Sequence, residues 1–539
     1  AKPTKKARGA RRAKPRAPGA VEAVPAPIAV PAHAMAEMPA TARVGSTVAV
    51  KFTLSWLRVA PEPGAIVDDA EITLDPERPV TISISTHGFR LAKGTRRVRE
   101  VHLRRNRDKE VRWFSLEAVD LGVGEVTIVV RQGHETPLAT LRLTPQIVAG
   151  AAADGAATAN ADAVPPDPAV TALPTISIDE SLAGGEATLD IAVQIGDLIE
   201  RGAQRKIDKA VVVADTYEQI STLCARLRNE PDPGERMRVG LDELRAIGVG
   251  LARKLFSRQV REFLWKHIDE LDHLVIQTTG EFDIPWEIVY ISDPGDTVDG
   301  KDVNLDQFLG MRGATRWVYN TALPTRVTVG RGRAMYLCPS YRDRRLSLGF
   351  TFGEGKLVRS VFKAKVVRPG DAASMTKVIS DGFDLLHFGG HGVWTATPPD
   401  QRLLLARYRK TGVLPDGSSY SATDLRRDMP ARAMVDTNAP APMVFLNACD
   451  VGRLDTSSPG LGGFPEAFLR GGVGVLVGCC WAVDDKIAGR FVHDFYDALK
   501  TTDLAGAVSR ARRNSLENAD LSGLAYVAYA HPHTTVTIA

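Results

Sequence analysis

Two short apolar runs each end in a small-residue turn that carries one reactive side chain. Residues 383–392 (FDLLHFGGHG) deliver His391, and residues 443–452 (MVFLNACDVG) deliver Cys449. An imidazole beside a thiol can generate a thiolate, the form of cysteine that attacks a carbonyl carbon, and can later protonate a leaving amine. Backbone N–H groups must then hold the oxyanion, and the amides of Gly392 and Cys449 are the natural candidates. Gly389, Gly390 and Gly392 permit the close backbone approach that a substrate-binding turn needs. Asn447, Ala448 and Gly452 surround the cysteine with small or polar neighbours, which keeps the sulfur at a strand end. Taken singly, each residue has an ordinary explanation, since a cysteine closing an apolar run is usually a small core residue. The pairing of two matching turns is what points to a nucleophile and its base.

The flanking sequence predicts what must position them. From residue 334 onward, short apolar runs alternate with helical segments: 334–338, 356–362, 374–379, 385–388, 444–447, 465–470, 473–479 and 486–499. Continuous apolar strands between helices imply a mainly parallel sheet covered on both faces, with ligands beyond the carboxyl ends of its strands. His391 and Cys449 fall just past two such ends. Upstream, Ala210–Val213 form a short β-branched run, Leu241, Leu244, Leu251 and Leu255 recur at helical spacing, and residues 274–277 read as a strand leading into FDIPWE.

The N-terminal third has a different pattern. Residues 1–45 are rich in Ala, Pro, Lys and Arg and read as a disordered basic tail. From Thr47, strict alternation (Val48, Val50, Phe52, Leu54, Trp56) begins a series of strands through Leu143, which is the spacing of an all-β sandwich over residues 46–148. Residues 149–174 form an Ala-, Asp- and Pro-rich linker. The expected organisation is therefore tail, sandwich, linker, an α/β portion over 175–330 and a second α/β portion over 331–539.

Composition sets the remaining bounds. The 539 residues are 44% hydrophobic, enough for several cores. Residues 1–16 hold eight Lys or Arg and no acid, so the formal charge of +4 becomes −4 over the other 523. Nucleic acid is accordingly not an expected partner, the basic tail being the one segment that could meet it. The five cysteines are scattered without CxxC spacing, which indicates neither a disulfide framework nor a zinc site. No cofactor is called for, and the Gly460–Gly463 stretch lacks the GKS or GKT of a phosphate loop. Without a membrane-length apolar run or an apolar leader, the expected setting is the cytoplasm.

HFGGHG, LNACDVG, GLGGFPEAFLRGGVGVLVGCCWAVDD, FYDAL and AYVAYAHP, together with upstream IPWE and TRW, closely resemble the CHAT-domain family over roughly residues 175–539. That family comprises caspase-like cysteine peptidases of the clan that includes caspases and separase. The resemblance implies a caspase-type αβα sandwich preceded by a non-catalytic, pseudo-caspase-like portion, with His391 as catalytic histidine and Cys449 as nucleophile. It also implies a protein substrate and a place in bacterial defence or programmed death. A peptidase loose in a cytoplasm is hazardous, and the stretch 398–442 between the two strands is long enough to hold a regulatory loop, so activity is expected to be gated, by processing or by a partner recruited through the sandwich. Asn447 and Asp485 are expected to meet substrate. Asp485 stands four residues after Trp481, similar to the separase segment in which an aspartate receives a basic side chain. The competing explanation is that Asp484 or Asp485 merely caps the helix that follows. For the whole chain, the alternative is a catalytically silent scaffold. His387, inside its apolar strand, reads as a structural histidine, and Cys479 and Cys480 as core residues.

Overall fold

In the computed structural model, residues 29–150, 173–280, 283–295, 302–319, 321, 323–341, 346–349, 351–396, 399–406, 417–429, 441–449, 463–518 and 520–539 are described. The linker segment 151–172 and residues 1–28 of the basic tail lie outside them.

The first ordered strand corrects the expected extent of the tail. Val30–Pro39 pairs with Ala65–Leu74 on one side and Thr47–Ser55 on the other, in a sheet completed by Lys109–Ala118 and Phe89–Leu91. Ala32, Ala34, Ala36 and Met38 alternate into the core. Small alanines at every second position carry the strand period but little strand propensity, so composition hid them. Val80–His87, Glu125–Arg131 and Ala139–Leu143 make a second sheet, and Phe52, Phe114, Ile82, Ile128 and Leu141 from the two sheets share one core.

This second sheet continues into the α/β part. Thr175–Ala183 adjoins Val80–His87 at the Leu182–His87 pair, and the ladder runs on through Val275–Thr278 and Thr315–Val318 as a 16-stranded sheet. The junction is polar and buried. Arg131 donates to Asp179 at 2.9 and 3.1 Å, to Ser177 at 2.9 Å and to Ser83 at 2.7 Å. The Asp179 carboxylate, held low by that guanidinium against its burial, supplies the countercharge.

Beyond Thr315–Val318 the order is Tyr526–Tyr529, Val475–Cys479, Met443–Asn447, Leu385–Gly389, Ala334–Leu337 and Lys365–Val367. The last five strands are mutually parallel, and Tyr526–Tyr529 joins Val475–Cys479 antiparallel. Successive strand residues enter two different cores. Leu386, Phe388, Val444 and Leu446 meet Met375, Leu425 and Phe468 on one face, while Leu385, Met443, Phe445 and Val477 meet Val358, Phe491 and Val508 on the other. Helices thus cover both faces, as the unbroken apolar strands require.

The run Ala210–Val213, β-branched in sequence, begins the helix Lys209–Arg228, where Asp208 accepts from the Val211 amide as N-cap. A cap at the start and burial of Val212 and Val213 outweigh the modest strand preference of valine. Among the described residues, no helix is long and apolar enough to cross a membrane.

Two segments of the IPWE and TRW type meet where the halves of the sheet join. Glu287 accepts from Arg316 Nε at 2.9 Å and Nη2 at 2.5 Å, both side chains being wholly buried. Arg316 also donates to Tyr529 Oη at 3.4 Å and lies over its ring. Removing Arg316 leaves the buried Glu287 with Arg512, whose Nη2 is 4.0 Å away, as a poorer countercharge. Arg316→Met is expected to lower the unfolding free energy by about 3–5 kcal/mol in a urea titration. Adding Glu287→Met should return part of that loss, and a double variant no better than the single would show that the pair is not the cause.

Candidate functional site

Leu385–Gly389 and Met443–Asn447 are adjacent parallel strands with Gly389 opposite Asn447. The ladder extends one step further, because the Gly390 amide donates to the Asn447 carbonyl at 3.1 Å. His391 stands two residues past Gly389, and Cys449 stands two residues past Asn447. Neighbouring strands lie about 4.8 Å apart, so equal overhangs bring the two residues to one end of the sheet. Both are half-buried, and Cys449 is outside any disulfide.

The imidazole is oriented by its far nitrogen. His391 Nε2 lies 3.0 Å from the Leu346 carbonyl oxygen. A carbonyl only accepts, so Nε2 carries the proton in the neutral ring and Nδ1 keeps its lone pair. The backbone is fixed as well. Tyr341 Oη accepts from the His391 amide at 2.9 Å and donates to the Leu404 carbonyl at 2.9 Å, bridging two residues that face each other across a hairpin. Burial raises the Tyr341 phenol above its ordinary value, so the hydroxyl remains a donor.

His391 opens the strand His391–Ala396, which pairs with Pro399–Leu404 and through it with Ser419–Ser421. Within the stretch 398–442 lie the strands Pro399–Leu404 and Ser419–Ser421 and the helix Ala422–Asp428; residue 398 and the segments 407–416 and 430–440 lie outside the described residues. The hairpin also sets the direction of the Gly392 amide. Leu405 donates to Ser418, so by alternation Leu403 bonds outward to the Ser419–Ser421 strand and Leu404 faces His391. The Gly392–Leu403 pair is then a wide one, and the Gly392 N–H points away from the hairpin partner.

Beneath the two strand ends sits a carboxylate that sequence inspection overlooked. Glu354, on the helix Thr351–Phe362, is 2% exposed. Its Oε1 accepts from Asn447 Nδ2 at 2.6 Å, and its Oε2 lies 3.3 Å from His387 Nε2. His387 Nδ1 contacts Tyr496 Oη at 2.9 Å, and Tyr526 Oη donates to Asn447 Oδ1 at 2.7 Å. Burial and Glu354 hold the Tyr496 phenol well above its usual value; burial and its Cys479 contact do the same for Tyr526. With both hydroxyls protonated, every donor in the chain points toward Glu354. A Cβ on Gly389 would lie 3.0 Å from Glu354 Oε2, which is why glycine occupies that strand end. His387 is thus a bonded core residue. Asn447, expected to meet substrate, is 7% exposed with its amide engaged at both ends, and it braces the strand that leads to Cys449.

Asp484 and Asp485 divide their tasks. Asp484 is the N-cap of the helix Asp485–Ala498 and accepts from the Lys486 amide at 3.0 Å. Asp485 is the first residue of that helix. Its Oδ2 lies 3.9 Å from where a Cβ on Gly349 would stand, beside the segment whose Leu346 carbonyl holds His391.

The hairpin opened by His391 and the helix Phe464–Arg470 are also tied to each other and to the N-terminal region. Gln401, in the hairpin opened by His391, accepts from the Phe464 amide at 3.0 Å at the start of the helix Phe464–Arg470. In that helix Glu466 pairs with Arg470 at 2.7 Å and, across to the all-β region, with Arg142 at 3.8 Å. Among the described residues, His273, Asp503 and His533 form a group with metal-ligand spacing, assembled from three separate segments.

The family model of the CHAT domain matches residues 249–534. A domain of unknown function (DUF7363) matches residues 36–143. No curated protein matches the chain. Among solved structures, the chain is similar to the Saccharomyces cerevisiae separase–securin complex, with 11% identity and a TM-score of 0.40, covering 68% of this chain. It spans only 30% of that separase-complex chain. The Arg specific cysteine proteinase gingipain R is similar at 13% identity and a TM-score of 0.31, over 54% of this chain and 70% of that one. The pro- and mature domains of RgpB from Porphyromonas gingivalis are similar at 11% and 0.30, over 53% and 71%.

Glu354 generates a direct expectation. A glutamine in its place turns an N–H against the Asn447 or His387 donor, so Glu354→Gln should lower the unfolding free energy by about 1–3 kcal/mol. Urea titration measures this, and an unchanged midpoint would mean that the buried carboxylate is not holding the strand ends.

Proposed function

The chain belongs to the CHAT-domain family, and on that premise we propose that it is a cysteine endopeptidase of caspase-like type that uses His391 and Cys449 as base and nucleophile. The supporting observation is the equal overhang of these residues beyond the paired Gly389 and Asn447. His391 Nδ1 takes the Cys449 thiol proton, and the thiolate attacks the carbonyl carbon of a peptide bond. The Gly392 and Cys449 amides receive the negative oxygen. As the tetrahedral species collapses, the C–N bond breaks and the imidazolium returns its proton to the amine. A water, deprotonated by His391, then attacks the thioester; the acid leaves and the thiol is restored. Throughout, the Leu346 carbonyl holds Nε2–H and stabilises the imidazolium.

Asp485 is proposed to receive a basic side chain at the cleaved position. Support comes from its place, because its Oδ2 lies 3.9 Å from where a Cβ on Gly349 would stand, beside the segment whose Leu346 carbonyl holds His391. The N-terminal all-β sandwich is proposed to recruit a partner whose binding gates activity. Its Arg142 reaches Glu466 on the helix downstream of Cys449, and Gln401 links that helix to the hairpin of His391. These contacts give a partner a mechanical route to both reacting groups. The protein substrate is expected to meet the enzyme in the cytoplasm, in a defence or death response.

Comparing proteolytic fragments in cells producing the wild type and Cys449→Ala identifies the substrate. Fragments found only with the wild type support the peptidase, and indistinguishable fragment sets, with a partner known to bind, favour the silent scaffold. On the purified chain cleaving a peptide library, Cys449→Ala and His391→Ala should each reduce turnover by at least about a thousandfold. Asp485→Ala should lower kcat/KM for Arg- and Lys-containing sites by about 10–100-fold, the worth of a charge-assisted hydrogen bond. A basic preference unchanged in Asp485→Ala would remove the pocket assignment.

A further inference from the structure

We infer that His273, Asp503 and His533 form a zinc-binding site that clamps the C-terminal segment to the body of the α/β fold. The three side chains come from distant parts of the chain: the turn before Val275–Thr278, the N-cap of the helix Leu504–Glu517, and the segment leading to the strand Thr535–Ile538. One carboxylate oxygen is the focus. Asp503 Oδ2 lies 2.9 Å from His273 Nε2 and 2.8 Å from His533 Nδ1, and the three ligand atoms all fall within 4.8 Å of one another. Two imidazoles and one carboxylate are a zinc set that leaves a fourth position for water. In a tetrahedral site with bonds of about 2.0–2.1 Å, ligand atoms stand roughly 3.3 Å apart. An outward shift of a few tenths of an ångström turns the hydrogen-bonded cluster into a coordination site.

Each ligand is held in advance. Asp503 Oδ1 accepts from the Gly506 amide at 3.0 Å, which fixes the carboxylate and leaves Oδ2 for the histidines. The His533 amide donates to His531 Nδ1 at 3.1 Å, and the Leu504 and Ala505 amides donate to Thr534 and Pro532. His273 has φ of 63°, a left-handed conformation that a histidine rarely adopts and that aims its ring at Asp503. The two rings lie 4.3 Å apart, and His273 and His533 are exposed enough for an ion to enter. The site shares no residue with the His391–Cys449 pair, so zinc here ties down structure. The strand Thr535–Ile538 pairs with Arg326–Val329, and His533 stands just before it.

The test is a calorimetric titration of the metal-free full-length chain with zinc chloride in a non-chelating buffer. His273→Asn suits the left-handed backbone and His533→Gln changes a half-exposed side chain, so both variants should keep the metal-free urea midpoint. The wild type should bind one equivalent of zinc, which raises its thermal midpoint. Each variant should bind at least about tenfold more weakly, and the double variant should lose the equivalent and the thermal shift together. No binding by the wild type overturns the inference. One equivalent retained by the double variant also overturns it, because the metal would then sit elsewhere.

Discussion

A buried carboxylate with all its neighbours donating to it is the constraint on which the site depends. Glu354 is almost wholly buried, and its position is stable only while Asn447 and His387 point N–H groups at it. Those two residues lie on the two strands that end in Cys449 and His391. The carboxylate therefore locks the relative register of the strands from below, and the reacting groups are carried on its consequences. Gly389 belongs to the same device, since a Cβ there would stand 3.0 Å from Glu354 Oε2 and press the carboxylate to shift by a few tenths of an ångström.

Above that base, His391 is held by a backbone carbonyl and a tyrosine hydroxyl. The Leu346 carbonyl selects the ring nitrogen of His391 that carries the proton, and the Tyr341 hydroxyl replaces a ladder bond between His391 and Leu404. The seam farther along the sheet uses the opposite strategy. Arg316 with Glu287 and Arg131 with Asp179 are buried charge pairs, placed where one section of the sheet meets the next. Such pairs add little net stability but penalise any other docking of the parts.

The parallel strands, and the shared strand end at which His391 and Cys449 stand, were legible in the sequence, because two uninterrupted apolar runs close in matching small-residue turns. The order of the strands and the chemistry beneath them were not. Glu354 sits in an ordinary helical segment and acquires its importance only when the chain folds back to set it under Asn447, 93 positions later in sequence. Asn447 misled for the same reason: a polar residue beside a nucleophile reads as a substrate contact until its amide is found tied at both ends. The strand Val30–Pro39 was hidden by alanines whose alternation is real but whose composition resembles a tail. His273, Asp503 and His533 carry no spacing signal at all, since three distant segments assemble them.

The central claim is that His391 activates the thiol of Cys449, and the rate of thiol alkylation measures it most directly. Iodoacetamide labelling of the full-length chain near neutral pH, read residue by residue by mass spectrometry, compares Cys449 with Cys224, whose thiol burial pushes up, and with half-buried Cys338. The account predicts that Cys449 is modified at least about tenfold faster than either, and that His391→Ala removes the difference while the other two cysteines keep their rates. A Cys449 rate equal to theirs in the wild type, or one indifferent to His391→Ala, would contradict it.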